Sequence, residues 1–221
     1  YKLVTGVQTC ALPIFSQELM KNRDNKITGD SKKDIHEIDK EYMKKSYINA
    51  KELAKKYRWK IRMPLKIRNA TPKDSPTIFN FIMELAIYEK APNEVKTTVE
   101  EIENSLFSPN ATAKALICEE DGIAIGFAVY FYNYSTWLGK KGIYLEDLYV
   151  SESKRKRGAG KALLKFLAQK ALEENCGRFE WSCLDWNTPS REFYESFGAV
   201  AKTEWIGYRL EGEALEEFAN G

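Results

Sequence analysis

Histidine is nearly missing from this chain: His36 is the only one in 221 residues. Histidine is the common neutral-pH base and a frequent metal ligand. Beyond residue 36, therefore, neither Ser-His-Asp nor Cys-His chemistry has a base. Four cysteines (Cys10, Cys118, Cys176 and Cys183) fall into no metal-ligand or disulfide spacing, so no metal is expected. Unpatterned cysteines suit a reducing cytoplasm. No apolar run approaches the ~20 residues that span a bilayer, so no membrane partner is expected. The G-x-x-x-x-G-K-[ST] phosphate loop is absent from the whole sequence.

Charge is scarce only in sum. The net +2 hides a basic first part, with +7 over residues 1–62, and an acidic remainder, with −5 over residues 63–221. An acidic domain attracts cationic amines and carries no nucleic-acid footprint.

What is present is a strand, a basic glycine-rich turn and a helix start. The apolar run Ile143 to Val150 leads into Arg155-Lys156-Arg157-Gly158-Ala159-Gly160, and an amphipathic helix follows from Lys161 to about Asn175. Glycines let backbone approach a phosphate closely, and the first N–H groups of the helix then point at it. A solvated turn or a nucleic-acid patch is the alternative for such a basic run; the acidic domain around it favours a small phosphate ligand.

The rest of the acidic part reads as an α/β domain. Leu65 to Asn69 alternates as a strand. Thr71 caps a helix with Pro72 at its first position and Asp74 in its first turn. Val99 to Leu106 is a short second helix. Ala113 to Glu119 and Ile123 to Tyr132 make a hairpin around Asp121-Gly122. Lys141 to Val150 is the fourth strand and Arg178 to Leu184 the fifth. Asn187 or Thr188 caps a helix that Gly198 ends. Val200 to Leu210 is expected to add one or two strands.

Arg-x-x-Gly-x-Gly resembles the acyl-CoA pyrophosphate signature of the GNAT superfamily of N-acetyltransferases. Trp186-Asn187, Phe193-Tyr194 and Gly198-Ala199 are similar to that family's closing helix. With Leu85 to Lys90, Gly126 to Tyr132, Tyr134 to Gly139 and Tyr144 to Asp147, they most resemble its diamine/polyamine and thialysine subgroup over residues 63–218. The resemblance implies a GNAT fold: a mixed, mostly antiparallel sheet with flanking helices, splayed between strands 4 and 5, with acetyl-CoA in the gap. It also implies a homodimer and direct acetyl transfer to a primary amine. Acetylation of a protein N-terminus or lysine, and a non-catalytic CoA-binding domain, are the alternatives.

An alkylammonium with pKa near ~10.4 is neutral in only about one molecule in 10³ at pH 7. The reaction therefore needs a base, and an acid for the departing thiolate. By the resemblance, Glu146 is the base and Tyr194 the acid. The CoA contacts are Leu148, Val150, Arg155, Lys156, Arg157, Gly158, Ala159, Gly160, Lys161, Asn187 and Tyr194, with backbone N–H groups near Leu148 polarising the thioester carbonyl. The amine contacts are Tyr88, Glu89, Trp137, Glu146 and Asp147. Strand alternation alone turns Asp147 away from Glu146 unless a bulge intervenes. Where polyamine enzymes carry an acidic residue two positions before this tryptophan, this chain has Ser135, which makes it more like thialysine relatives.

Residues 1–62 read differently. Residues 4–14 resemble a translated sequencing-library adapter, so 1–15 are expected to be an artefactual or disordered leader rather than a signal peptide. Residues 16–62 resemble the lid and next helix of a thymidylate kinase, a partly helical appendage without the phosphate loop. The domain boundary is expected at Arg62/Met63, leaving 63–221 as the N-acetyltransferase-like domain.

Overall fold

The computed structural model describes Lys45, Ser46, Ile48, Asn49 and residues 64–221. Expectations for the leader, for most of 16–62 and for the 62/63 boundary lie outside the described residues. Lys45, Ser46, Ile48 and Asn49, within the charged helix expected over 39–57, are helical and exposed.

Strand β1 (Leu65–Asn69) leads into a 3-10 turn at Pro72–Asp74 and helix α1 (Ser75–Tyr88). Thr71 and Asp74 form a capping box. Arg68 holds Asp74 through two nitrogens at 2.8 Å and reaches Glu119 from Nε at 2.6 Å. This pins the start of α1 to the sheet. The guanidinium, with Thr71, draws the Asp74 carboxyl down to about 2. Helix α2 (Val99–Phe107) has its own capping box, from Thr98 and Glu101.

The sheet runs β1-β2-β3-β4-β5, with β2 at Ala113–Glu120, β3 at Ile123–Ser135, β4 at Lys140–Val150 and β5 at Phe179–Trp181. All pairs are antiparallel except β4 with β5. The β2–β3 turn carries Asp121 and Gly122 at φ 56° and 76°, the left-handed pair that a two-residue hairpin asks for. One sheet face buries Leu116, Tyr130, Ile143 and Leu145 against Leu163, Leu164 and Leu167 of helix α3 (Ala159–Glu173). The other buries Ile117, Phe127 and Tyr149 against Ile78, Phe81 and Ile102 of α1 and α2. Helix α4 is Thr188–Glu195 and α5 is Gly212–Asn220. No described helix is long and apolar enough to cross a membrane.

Two findings position the site. First, β5 pairs only with Ile143, Tyr144 and Leu145. The fifth strand is thus shorter than the Arg178–Leu184 run, and β4 and β5 part beyond Leu145. Second, Val129 faces Asp147 while Tyr130 faces Leu145. Glu146 is therefore an extra residue, a β-bulge. The packing shows the same phase change: Ile143 and Leu145 face α3, but beyond the bulge Leu148 and Val150 do so, and Tyr149 faces α1.

The strands expected over Val200–Leu210 do not form. That segment pairs with nothing, and Trp205, Ile206 and Tyr208 are exposed. Its alternation suits a strand, but a strand needs a ladder partner, and the free edge of β5 is only three residues long.

Candidate active site

Where β4 and β5 diverge, a cleft of about 810 Å³ opens. Its walls are the end of α1, β4 beyond Leu145, the turn into α3, the segment after β5, and α4. Every site residue expected from the sequence lines it except Trp137 and Arg157. Trp137 sits in the β3–β4 turn, at the opposite end of β4, with 89% of its surface exposed. The β3–β4 ladder continues to Ser135 and Lys140, which carries that turn away from the cleft. Arg157 points outward to Glu120, at 3.5 Å. Ser182, Cys183 and Tyr149 line the cleft without having been singled out. The only sequence signal for the first two was their place just after the fifth strand, on the splayed side.

The bulge decides the carboxylates. By strict alternation Asp147 would share the α3 face with Ile143 and Leu145; shifted by one, it shares the α1 side with Tyr149. Glu146 and Asp147 now both line the cleft, together with Glu89 from the end of α1. Burial raises the Asp147 carboxyl to about 6, and the negative charges of Glu146 and Glu89 add to the rise. Burial also raises Glu89.

Across the cleft, α4 begins at Asn187, whose side-chain oxygen accepts from the Ser190 N–H at 3.3 Å. The same oxygen accepts from the Tyr88 phenol at 3.0 Å. Asn187 is buried. Tyr194 packs its ring on Trp181 and Phe193. Burial, with smaller contributions from Cys183, Tyr88 and Glu89, pushes its phenol up to about 12. Tyr194 is therefore protonated throughout the physiological range, a donor rather than a phenolate.

The basic turn fits a phosphate ligand by its backbone. Gly158 caps α3 at φ 92° with no side-chain hydrogen bond to the helix. The first-turn N–H groups of Ala159, Gly160 and Lys161 have no intrahelical acceptor, and all three residues line the cleft. Arg155 is turned inward. Its guanidinium stacks 4.7 Å from the Tyr88 ring and 5.1 Å from the Tyr149 ring, and Nε donates to the Val150 carbonyl at 2.9 Å. Beyond Leu145 the edge of β4 facing away from β3 has no strand beside it, so backbone donors there face the cleft. Among the described residues no group of three or more His, Cys, Asp or Glu could hold a metal ion.

A turn with free helix N–H groups, a protonated phenol and paired carboxylates in one splayed cleft suit acyl transfer to an amine. Comparison with known proteins agrees. The model of the acetyltransferase (GNAT) family matches residues 79–199. A thialysine N-epsilon-acetyltransferase of Sus scrofa is 36% identical over 69% of this chain and 96% of its own length. An L-ornithine N5-acetyltransferase of Arabidopsis thaliana is 29% identical over 70% of this chain and 88% of its own. Among solved structures, an integron cassette protein from the mobile metagenome of V. cholerae superposes with a TM-score of 0.62 at 28% identity, covering 72% of this chain and 99% of its own. The chain belongs to the acetyltransferase (GNAT) family, and it is an acetyl-CoA-dependent N-acetyltransferase.

Proposed function

We propose that this enzyme acetylates a primary amine on a small cationic acceptor of the diamine, polyamine or thialysine type. The carrying observation is that Glu89, Glu146 and Asp147 line one cleft together with Tyr194. Three carboxylates attract an ammonium group, and one with its pKa near neutrality can take a proton from it. The thialysine and ornithine specificities of the relatives support the same class.

In this reading acetyl-CoA supplies the activated acyl group. The α3 first-turn N–H groups at Ala159, Gly160 and Lys161, with Lys156 beside them, hold the pyrophosphate; Asn187 bonds the pantetheine arm. Arg155 contributes charge from its stacked position and shapes the wall, and Arg157 stays at the rim. β4 backbone donors near Leu148 and Val150 polarise the thioester carbonyl. Glu146 and Asp147 take the ammonium proton, Glu146 through solvent, since it is exposed. The neutral nitrogen then attacks the carbonyl carbon; the C–N bond forms and the C–S bond breaks. Tyr194 gives its proton to the departing sulfur, and the second proton lost by the acylated nitrogen restores the phenol.

The chain acts in the cytoplasm and as a homodimer in this reading. Cys118, Cys176 and Cys183, free among the described residues, suit the first. The exposed Trp205, Ile206, Tyr208 and Phe218 suit the second, since a second copy would cover them. The test of function is thiol release from acetyl-CoA by the full chain with a panel of diamines, polyamines and amino acids carrying a side-chain amine. Turnover with none of them, but with a peptide N-terminus or lysine, overturns the acceptor class. Light scattering at micromolar concentration tests the dimer; a monomer overturns it.

A further inference from the structure

Helix α1 ends in a Schellman motif: the Ala91 N–H reaches the Ala86 carbonyl at 2.8 Å and the Lys90 N–H reaches that of Ile87 at 3.1 Å. The residue that must turn left-handed there is ordinarily glycine; here it is Lys90, at φ 63°. Among the described residues only four non-glycines have positive φ. Asp121 and Asn175 are types that tolerate it. The other two are lysines, Lys90 and Lys156, and both flank the cleft. Lysine gains nothing locally from that backbone conformation, and strain of this kind gathers at functional sites.

The left-handed turn aims the side chain. The Lys90 ammonium lies 5.3 Å from the centroid of the Trp186 ring, and among the described residues it pairs with no carboxylate. Trp186 stands beside Tyr88, ring centroids 6.2 Å apart. The ammonium thus sits on the rim just outside the Tyr88–Asn187 part of the cleft wall. Its neighbour Glu89 turns inward, close enough to Asp147 and Tyr194 to raise both pKa values. Adjacent residues therefore split in charge, the Glu89 carboxylate within the cleft and the Lys90 ammonium on Trp186 outside its wall, while Arg155, Lys156 and Lys161 line the side of the basic turn.

We propose that Lys90 is a specificity-determining residue that pairs with the carboxylate of an amino-acid acceptor whose side-chain amine enters the cleft. This rests on the small-amine reading above and names the part of it that the rim selects. A diamine presents no such carboxylate and meets only a like charge at the mouth, a repulsive element of the kind that makes selection sharp. Leaving the indole face for a carboxylate exchanges a weak exposed cation–π contact for a charge-assisted hydrogen bond. Two other cations are nearby and both are engaged: Arg191 is tied by Nη1 to the Asp185 carbonyl at 3.1 Å, and Arg155 stacks on Tyr88 and Tyr149 with Nε on the Val150 carbonyl.

The experiment compares L-ornithine with 1,4-diaminobutane, which differ by that carboxylate alone, on full-length wild type, Lys90→Gly, Lys90→Met and Lys90→Arg. The expected result is a roughly five- to thirtyfold fall in kcat/KM for ornithine in the Gly and Met variants, carried by KM. The diamine should be unchanged or improved, and Arg should restore ornithine. Lys90→Gly should melt no lower than wild type, since glycine takes that φ freely. Parallel losses on both acceptors, or no change on either, overturn the proposal. If wild type acetylates neither acceptor, the functional reading has failed, and calorimetric binding of the two to wild type and Lys90→Gly still decides. A carboxylate-dependent affinity lost with Lys90 sustains the proposal; equal affinities overturn it.

Discussion

The Tyr88 phenol donates to Oδ1 of Asn187 at 3.0 Å, bridging ninety-nine positions of sequence. One oxygen thereby closes the end of α1 against the start of α4, the two elements that face each other across the cleft. It does so while also capping α4 through the Ser190 N–H.

Asn187→Ala removes the cap and orphans the phenol together. Each loss costs about 1 kcal/mol, so the variant should be destabilised by roughly 2 kcal/mol in chemical denaturation. Tyr88→Phe leaves the cap intact and should cost about half as much. No loss in Tyr88→Phe would mean that the bridge contributes nothing, and equal losses that the cap contributes nothing. In both variants the KM for the amine should rise, since Tyr88 lines the amine end.

Tyr194→Phe keeps the ring packing on Trp181 and Phe193 and removes the proton. A fall in kcat of ~10²–10⁴ is expected, with acetyl-CoA affinity little changed. With the phenol pushed up to about 12, wild-type kcat should show no basic fall up to about pH 10. A variant that turns over normally would put water in the acid's place.

Asp147 gives the pH dependence its acid limb. Its carboxyl, raised to about 6, must be ionised to take a proton, so kcat/KM should fall as pH drops through about 6. Asp147→Asn should lower activity at pH 7 and erase that limb. The stability sign is opposite. A carboxyl whose folded pKa is raised binds its proton more tightly when folded. Its ionisation therefore weakens the fold as pH climbs from about 4 to 6. Asp147→Asn should raise Tm at pH 7, by at most about 3 kcal/mol of stability, with the gain gone below pH 4. A gain at every pH would trace to packing instead.

Gly158→Val should raise the KM for acetyl-CoA tenfold or more, because φ 92° is closed to a branched residue and the turn must move. Gly160→Ala should be milder: an added Cβ there meets only the Phe193 ring at 3.8 Å, an ordinary contact. Equal effects would relocate the demand for glycine.

Local chemistry made much of the domain legible. Asp121-Gly122 announced its hairpin, Thr71-Pro72 its helix start, and the glycine-rich turn the start of α3, because each is fixed by a few adjacent residues. Long-range decisions were not legible. The sequence of β4 shows Glu146 and Asp147 side by side inside an apolar strand, a hint of a bulge, but only pairing with β3 reveals it. Trp137 could not be placed from the sequence, because the length of the β3–β4 ladder sets it at the far end of β4. Lys90 carries no glycine signal, so its left-handed turn was invisible. The alternation over Val200–Leu210 met a β5 edge only three residues long.

Because side chains along a strand alternate with a period of two, the single extra residue at Glu146 works as a phase shifter. Everything before it is counted from one face, everything after it from the other. Deleting Glu146 would leave a regular ladder, with Leu145 opposite Tyr130 and Asp147 opposite Val129 as next neighbours, and every later residue would keep its face. Losing a residue beyond the bulge would instead exchange the faces of all that follow, and the run into Arg155 would start half a pleat out of step. Length beyond Glu146 should therefore be far less tolerant of change than composition.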